Sequence, residues 1–278
     1  MPLDYLRDRI RQYLLEDAPR GDITTQGTVD EDVLAQAEIS AVEPLIFCGE
    51  LIVPVFFEGE YRLDIPVHDG EAVPAGQILA RIGGNAREIL IRERALLNLL
   101  QHLCGIATQT REYVSRLAGR SVRILDTRKT LPGLRLLEKY AVHCGGGTNH
   151  RLDLSDGILI KDNHLKAAGG VKAAVERIRY RFTGIPVELE VDTFDQLKEG
   201  LDSAVDGFLL DNMSPDQIRE AVSIIRHHPH GRSVLIEASG GITLDRLNDY
   251  LDCGIDAVSI GALTHSARSR DIRMEFSL

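Results

Sequence analysis

The stretch VELEVDTFDQLKEGLDSAVDGFLLDN, residues 187–212, decides the fold class. Val187, Leu189 and Val191 alternate with Glu188 and Glu190, the period-two pattern of a strand. Thr193 precedes FDQLKEGL and can cap a helix there, its hydroxyl accepting an orphan N–H of the first turn. The apolar run Gly207–Leu210 begins a second strand, closed by Asp211-Asn212. Strand, helix, strand over so short a span is a parallel βαβ unit, because parallel neighbours need a crossover.

Working outward, the same kind of run recurs at VRILD (122–126), GILI (157–160), VLIEA (234–238) and AVSI (257–260). Ser214-Pro215 opens the helical PDQIREAVSII, and Thr243 opens LDRLNDYLDCG, which stops at Gly254. Six strands after residue 115 are fewer than a closed eight-fold barrel uses. A shortened β/α barrel or an open doubly wound sheet would accommodate them. The barrel is favoured, because no GxGxxG follows any strand. Before residue 115 the style differs. LAQAEIS (34–40) and LIVPVFF (51–57) read as strands, residues 67–84 are turn-rich, and AREILIRERALLNLLQHLCGIAT is a long helix with leucines on one broad face. That order predicts an α+β unit.

The bulk numbers exclude several functions. A net charge of −10 argues against nucleic-acid binding, which needs a basic face. No apolar run is long enough to span a membrane. The N-terminal MPLDYLRDRIRQYLLED is an amphipathic helix pattern, with Leu3, Leu6, Ile10 and Leu14 on one side, and lacks a signal peptide's apolar core. Cys48, Cys104, Cys144 and Cys253 form no CxxC pair, so free thiols in the cytoplasm are expected.

In parallel α/β folds the chemistry gathers where strands give way to loops. The first strand runs into Asp126-Thr127-Arg128-Lys129-Thr130. The second is preceded by Gly145–Arg151 and ends in Lys161-Asp162-Asn163-His164. The third carries Glu188, Glu190 and Asp192, and the fourth ends in Asp211-Asn212. The last two end in Glu237–Gly241 and Gly261–His265. Arg128, Lys129, Arg151 and Lys161 would form a cationic pocket on an acidic protein, suited to carboxylates and phosphates. Glu190 and Asp211 are hard oxygen ligands suited to magnesium with a phosphate-bearing substrate. Ser239-Gly240-Gly241 and Gly261-Ala262 are small-residue turns whose N–H groups can face a phosphate. Blander readings exist: a lone Arg at a strand end is often a solvated rim residue, and Glu190 could lie on a half-exposed face. RHHPHG (226–231) fits a helix C-terminus. His143, Cys144 and His150 match no standard zinc spacing.

The segment DTRKTLPGLRLLEKYAVHCGGGTNHRLDLSDGILIKDNH resembles the central signature of the quinolinate phosphoribosyltransferase family. EDAPRGDITT, RERALLNLLQHLCGIAT, ELEVDTFDQL, LLDNM, IEASGGI and VSIGALTHS match in the family's order over nearly the whole chain. Leu131, where the family pattern has threonine, and the tail DIRMEFSL depart from it. The resemblance implies an N-terminal α/β sandwich (1–114, completed by 267–278) and an incomplete parallel β/α barrel (115–266) of the type II phosphoribosyltransferases. It also implies a head-to-tail homodimer. The implied reaction joins quinolinate to 5-phosphoribosyl 1-diphosphate with Mg²⁺ and no organic cofactor, giving nicotinate mononucleotide, diphosphate and carbon dioxide.

By the same resemblance, Arg94 contacts quinolinate from across the dimer; from sequence alone it reads as a surface helix residue. Arg128 and Arg151 bind the ring carboxylates, with His150 lining that pocket. Lys129 and Lys161 meet anionic groups, and Glu190 and Asp211 take ribose hydroxyls and the metal. Ser239, Gly240, Gly241, Gly261 and Ala262 take the 5-phosphate. Three rivals remain at this point. They are a sister activity on another pyridine carboxylate, a Schiff-base aldolase using Lys161, and a scaffold protein without catalysis.

Overall fold

Six parallel strands run in the spatial order Arg123–Leu125, Ala257–Ser259, Leu235–Ser239, Gly207–Asp211, Val187–Val191, Ile158–Ile160. Of these six, the last in sequence pairs with the first, and from there the order descends without reversal. An open doubly wound sheet would show a reversal, where sequence order switches direction. The monotonic order is that of a β/α barrel left open between its first and second strands. At that opening Thr148 makes a parallel bridge to Leu125, and residues 149–157 lead into the second strand.

The structure is a computed structural model and describes all residues except Glu60. It divides into two units. The first comprises Met1–Arg111, Leu131–Gly146 and Ser266–Leu278, and the second Glu112–Thr130 and Gly147–His265. The division differs from a single cut near residue 115 in one excursion: Leu131–Gly146, which carries the helix Arg135–Cys144, clusters with the first unit.

In the second unit, local chemistry places the helices. Thr193 accepts from the Gln196 N–H at the start of Phe194–Asp202. Ser214 and Gln217 form a reciprocal capping box ahead of Pro215–His227. Val187, Leu189, Val191, Phe208 and Leu210 are each no more than 1% exposed. Burying each such side chain is worth roughly 1.5–3 kcal/mol. The intervening Glu188 and Glu190 are half-buried, on the opposite face of their strand. One helix starts later than expected. Thr243 opens only a turn, and the helix runs Leu247–Leu251.

The first unit has a four-stranded antiparallel sheet in the order Ile272–Ser277, Leu34–Ala41, Ile78–Asn85, Arg62–Asp64. Its helices include Leu3–Asp17, with Leu6 and Ile10 buried, and the long Ala86–Ser115. The expected strand at 51–57 is instead a short helix, Val53–Phe56. Pro54 occupies its first turn, where a missing N–H costs nothing, and Val53 and Phe56 bury one helical face. No helix among the described residues is long and apolar enough to cross a membrane.

Candidate active site

Strand register assembles the rim of the second unit. Ile160 pairs with Leu189, so Lys161 and Glu190 follow on neighbouring strands and their side chains form an ion pair. Lys161 also donates its main-chain N–H to His164 Nδ1 at 2.9 Å. Asp211 pairs with Ser239 across the next two strands. Asp211 Oδ2 accepts from the Asn212 side-chain amide at 2.7 Å. Asn212 has φ +55°, and its N–H donates to the Ser239 carbonyl at 2.9 Å.

One glycine is required by close approach and a second is closely packed. A Cβ on Gly240, where φ is +98°, would stand 2.2 Å from Asn212 Oδ1. A Cβ on Gly261 would stand 3.0 Å from Lys129 Cδ and 3.2 Å from His265 Nε2. The last turn is therefore packed against Lys129, whose carbonyl also accepts from Thr264 Oγ1 at 2.7 Å. Ala262 begins the short helix that follows.

Arg128 and Arg151 face one environment. Arg151 is held below its ordinary value, first by burial and then by the charge of Arg128. Its Nη1 donates to the Gly157 carbonyl at 3.4 Å, while the buried Arg128 Nε has no hydrogen-bond partner among the described residues. Two guanidiniums that repel each other in a partly desolvated place form a receptor for a species with more than one negative charge. A cavity of about 610 Å³ at the strand starts is lined by His150, Arg151, Glu188, Gly207 and Leu235.

Beneath the cations lies an anionic layer that the residue reading left unassigned. Glu237 is fully buried, and burial, then the charge of Glu188, pushes its carboxyl from the ordinary 4.5 up to about 7. Asp126, also fully buried, accepts the His150 main-chain N–H at 2.9 Å. His150 Nε2 stands 3.4 Å from Glu188 Oε2 and 3.5 Å from Glu237 Oε2. The available signal was the alternation in VELEV, since a parallel strand is covered on both faces and its polar positions must point into something.

The structure thus brings together Arg128, Lys129, His150, Arg151, Lys161, Glu190, Asp211, Ser239, Gly240, Gly241, Gly261 and Ala262 within the second unit, with His265 beside them. Arg94 lies in the first unit, exposed on its long helix, in a cavity of about 340 Å³ with Tyr13, Asn98 and His102. Of the zinc candidates, His143 and Cys144 belong to the first unit and His150 to the second. Cys144 clusters with Cys48 and Asp69, and His150 with Glu188 and Glu237.

Comparison with known proteins agrees with this geometry along the whole chain. Residues 22–104 match the model of the quinolinate phosphoribosyl transferase N-terminal domain, and residues 106–275 that of its C-terminal domain. A nicotinate-nucleotide pyrophosphorylase [carboxylating] of Mycobacterium leprae is 42% identical, over 98% of this chain and 97% of that protein. A probable one of Bacillus subtilis is 40% identical, over 98% and 94%. The solved structure of the nicotinate-nucleotide pyrophosphorylase from Francisella tularensis superposes with a TM-score of 0.92 at 36% identity, covering 100% of this chain and 98% of that one.

Proposed function

The chain belongs to the quinolinate phosphoribosyltransferase family, and from that premise we infer that the rim of its second unit transfers phosphoribosyl from 5-phosphoribosyl 1-diphosphate to quinolinate. Decarboxylation follows, and the products are nicotinate mononucleotide, diphosphate and carbon dioxide, a step of de novo NAD synthesis. The observation that carries the reading is the Arg128–Arg151 pair, two mutually repelling cations above a buried anionic layer. A pyridine with adjacent carboxylates supplies the two charges this pair lacks.

In this reading Arg128 and Arg151 each bind a ring carboxylate, and His150 lines the pocket. Arg94 of the partner subunit completes it, so the working form is a homodimer. Lys129 and Lys161 meet the anionic groups of the two substrates. The turns at Ser239–Gly241 and Gly261–Ala262 hold the 5-phosphate through main-chain N–H groups. Glu190 and Asp211 fit magnesium: both are hard oxygen donors at neighbouring strand ends. Among the described residues, one oxygen of each is engaged, by Lys161 and by Asn212 respectively. Bound there with the diphosphate, the ion would neutralise the leaving group's charge.

The rest is placement and electrostatics. As the C1–diphosphate bond breaks, the ribosyl carbon becomes oxocarbenium-like, and Glu190 and Asp211 stabilise it from nearby. The pyridine nitrogen is a weak nucleophile, so fixing its position counts more than activating it. Once ribosylated, the cationic nitrogen stabilises the electron pair left on ring C2 when the adjacent carboxylate departs as carbon dioxide, and C2 then takes up a proton from water. The four free cysteines support a cytoplasmic location.

The test is formation of nicotinate mononucleotide from quinolinate, phosphoribosyl diphosphate and magnesium, with parallel reactions that replace quinolinate by nicotinate or omit the metal. Product and carbon dioxide from quinolinate alone, with the metal required, are expected. Product from nicotinate but not quinolinate would move the substrate to a sister activity. Borohydride trapping at Lys161 would establish the aldolase reading instead.

A further inference from the structure

His150 is gripped at three points. Its main-chain N–H donates to Asp126 Oδ1 at 2.9 Å, and its Nδ1 accepts from the Arg151 main-chain N–H at 2.7 Å. Its Nε2 faces Glu188 Oε2 at 3.4 Å and Glu237 Oε2 at 3.5 Å. A ring nitrogen that accepts an N–H carries no proton of its own. In the neutral imidazole the proton therefore sits on Nε2, directed at the two carboxylates.

The same three donor groups are spaced as for a divalent metal. At bond lengths of about 2.1 Å, donor separations near 3.5 Å correspond to roughly tetrahedral angles. The Nδ1 contact decides against that use. A histidine that ligates through Nε2 gives its Nδ1 proton to an outer acceptor, whereas here Nδ1 receives one. What remains unexplained by packing is Glu237. Its side chain is 1% exposed, and neither carboxylate oxygen has a hydrogen-bond partner among the described residues. The nearby Ser259 hydroxyl draws the Glu237 carboxyl down, but less than burial and Glu188 push it up. A carboxylate so placed costs stability, so its retention points to a role outside folding.

We propose that Glu237 is a positioning residue: its buried carboxylate, 3.5 Å from His150 Nε2, attracts the Nε2 proton by charge and so holds the imidazole in one tautomer and one orientation. Nδ1 then remains an acceptor for the Arg151 amide, which fixes the Arg151 main chain and so the placement of its guanidinium for the dianionic pyridine substrate. Glu188 shares the imidazole proton, and Asp126 fixes the main chain on the other side. The proposal deepens the quinolinate reading and rests on it for its kinetic consequence alone.

The test compares the full-length wild type with Glu237→Gln, which keeps the size and removes the charge, and Glu237→Leu, which removes the acceptor. The ring ¹⁵N resonances of His150, identified by their loss in His150→Gln, should show the proton on Nε2 in the wild type and a mixture of tautomers in Glu237→Gln. The quinolinate KM of Glu237→Gln should rise roughly five- to twentyfold, with the phosphoribosyl diphosphate KM within about twofold of wild type. Glu237→Leu, where it folds, should go further in the same direction. A wild-type proton on Nδ1 would overturn the proposal. So would a Glu237→Gln that leaves tautomer and quinolinate KM unchanged, or raises both KM values alike. A wild type that turns over no quinolinate, with the tautomer shift still present, would remove the activity reading and leave the hold of Glu237 on His150 standing.

Discussion

Two carboxylate sites, a half-buried one in the first unit and a fully buried one in the second, are built on opposite principles. In the first unit Asp69 is saturated. Its Oδ1 accepts the N–H groups of Gly49 at 2.6 Å and Glu50 at 3.0 Å, and its Oδ2 accepts the Tyr140 hydroxyl. The thiols beside it are inert, with burial first among the causes that push Cys48 well up and Cys104 up to about 12. In the second unit neither Glu237 oxygen has a well-formed hydrogen bond among the described residues, and the carboxylate faces an imidazole that reaches Arg151. A satisfied polar group locks a fold, while an unsatisfied one stores electrostatic cost that a site can use.

That contrast can be broken by substitution. The largest effect should come from Arg151→Ala, which lowers kcat/KM for quinolinate by roughly ten- to a hundredfold, the range of one charge-assisted carboxylate contact. Steady-state kinetics check it, and an unchanged value would remove Arg151 from the carboxylate pocket.

Next comes the stability of Glu237→Gln. Because the folded carboxyl titrates near 7 rather than 4.5, the unfolded chain loses this proton first as pH rises. Wild-type stability should therefore fall between about pH 4.5 and pH 7 and stay low above it, by an amount of order 2–3 kcal/mol. Glu237→Gln should lack that loss and exceed the wild type in urea melts at pH 8, while binding quinolinate less well. This is the stability–function exchange expected of a strained site. A Glu237→Gln less stable than wild type at pH 8 would contradict the reading of Glu237 as unsatisfied.

Asp69→Asn should behave oppositely, losing about 2 kcal/mol of stability with both KM values unchanged. Tyr140→Phe, which removes one donor from the same carboxylate, should lose about 1 kcal/mol, again without kinetic effect. A changed quinolinate KM in either variant would erase the distinction between the clusters.

The same contrast explains what was legible in the sequence. The six strands of the second unit could be read because short apolar runs alternate with well-capped helices, and Thr193 and Ser214 mark the helix starts observed. The charged strand ends followed from that register. LIVPVFF was misread because an apolar run with no period fits either element, and only Pro54 hinted at a helix's first turn. The late start at Leu247 was hidden because Thr243 is as good a turn former as a cap. Leu131–Gly146 joins the first unit through contacts that local pattern does not encode. The layer of Asp126, Glu188 and Glu237 was hidden for a deeper reason. Polar residues inside a barrel alternate with apolar ones just as solvent-facing residues do, and only closure of the sheet separates the two.

The central claim is that two cations over an anionic layer read two carboxylates, and calorimetric titration of quinolinate and nicotinate into the intact protein tests it most directly. Quinolinate should bind at least about tenfold more tightly than nicotinate, the value of one charge-assisted contact. The preference should vanish in Arg151→Ala. Equal affinities in the wild type would contradict the account.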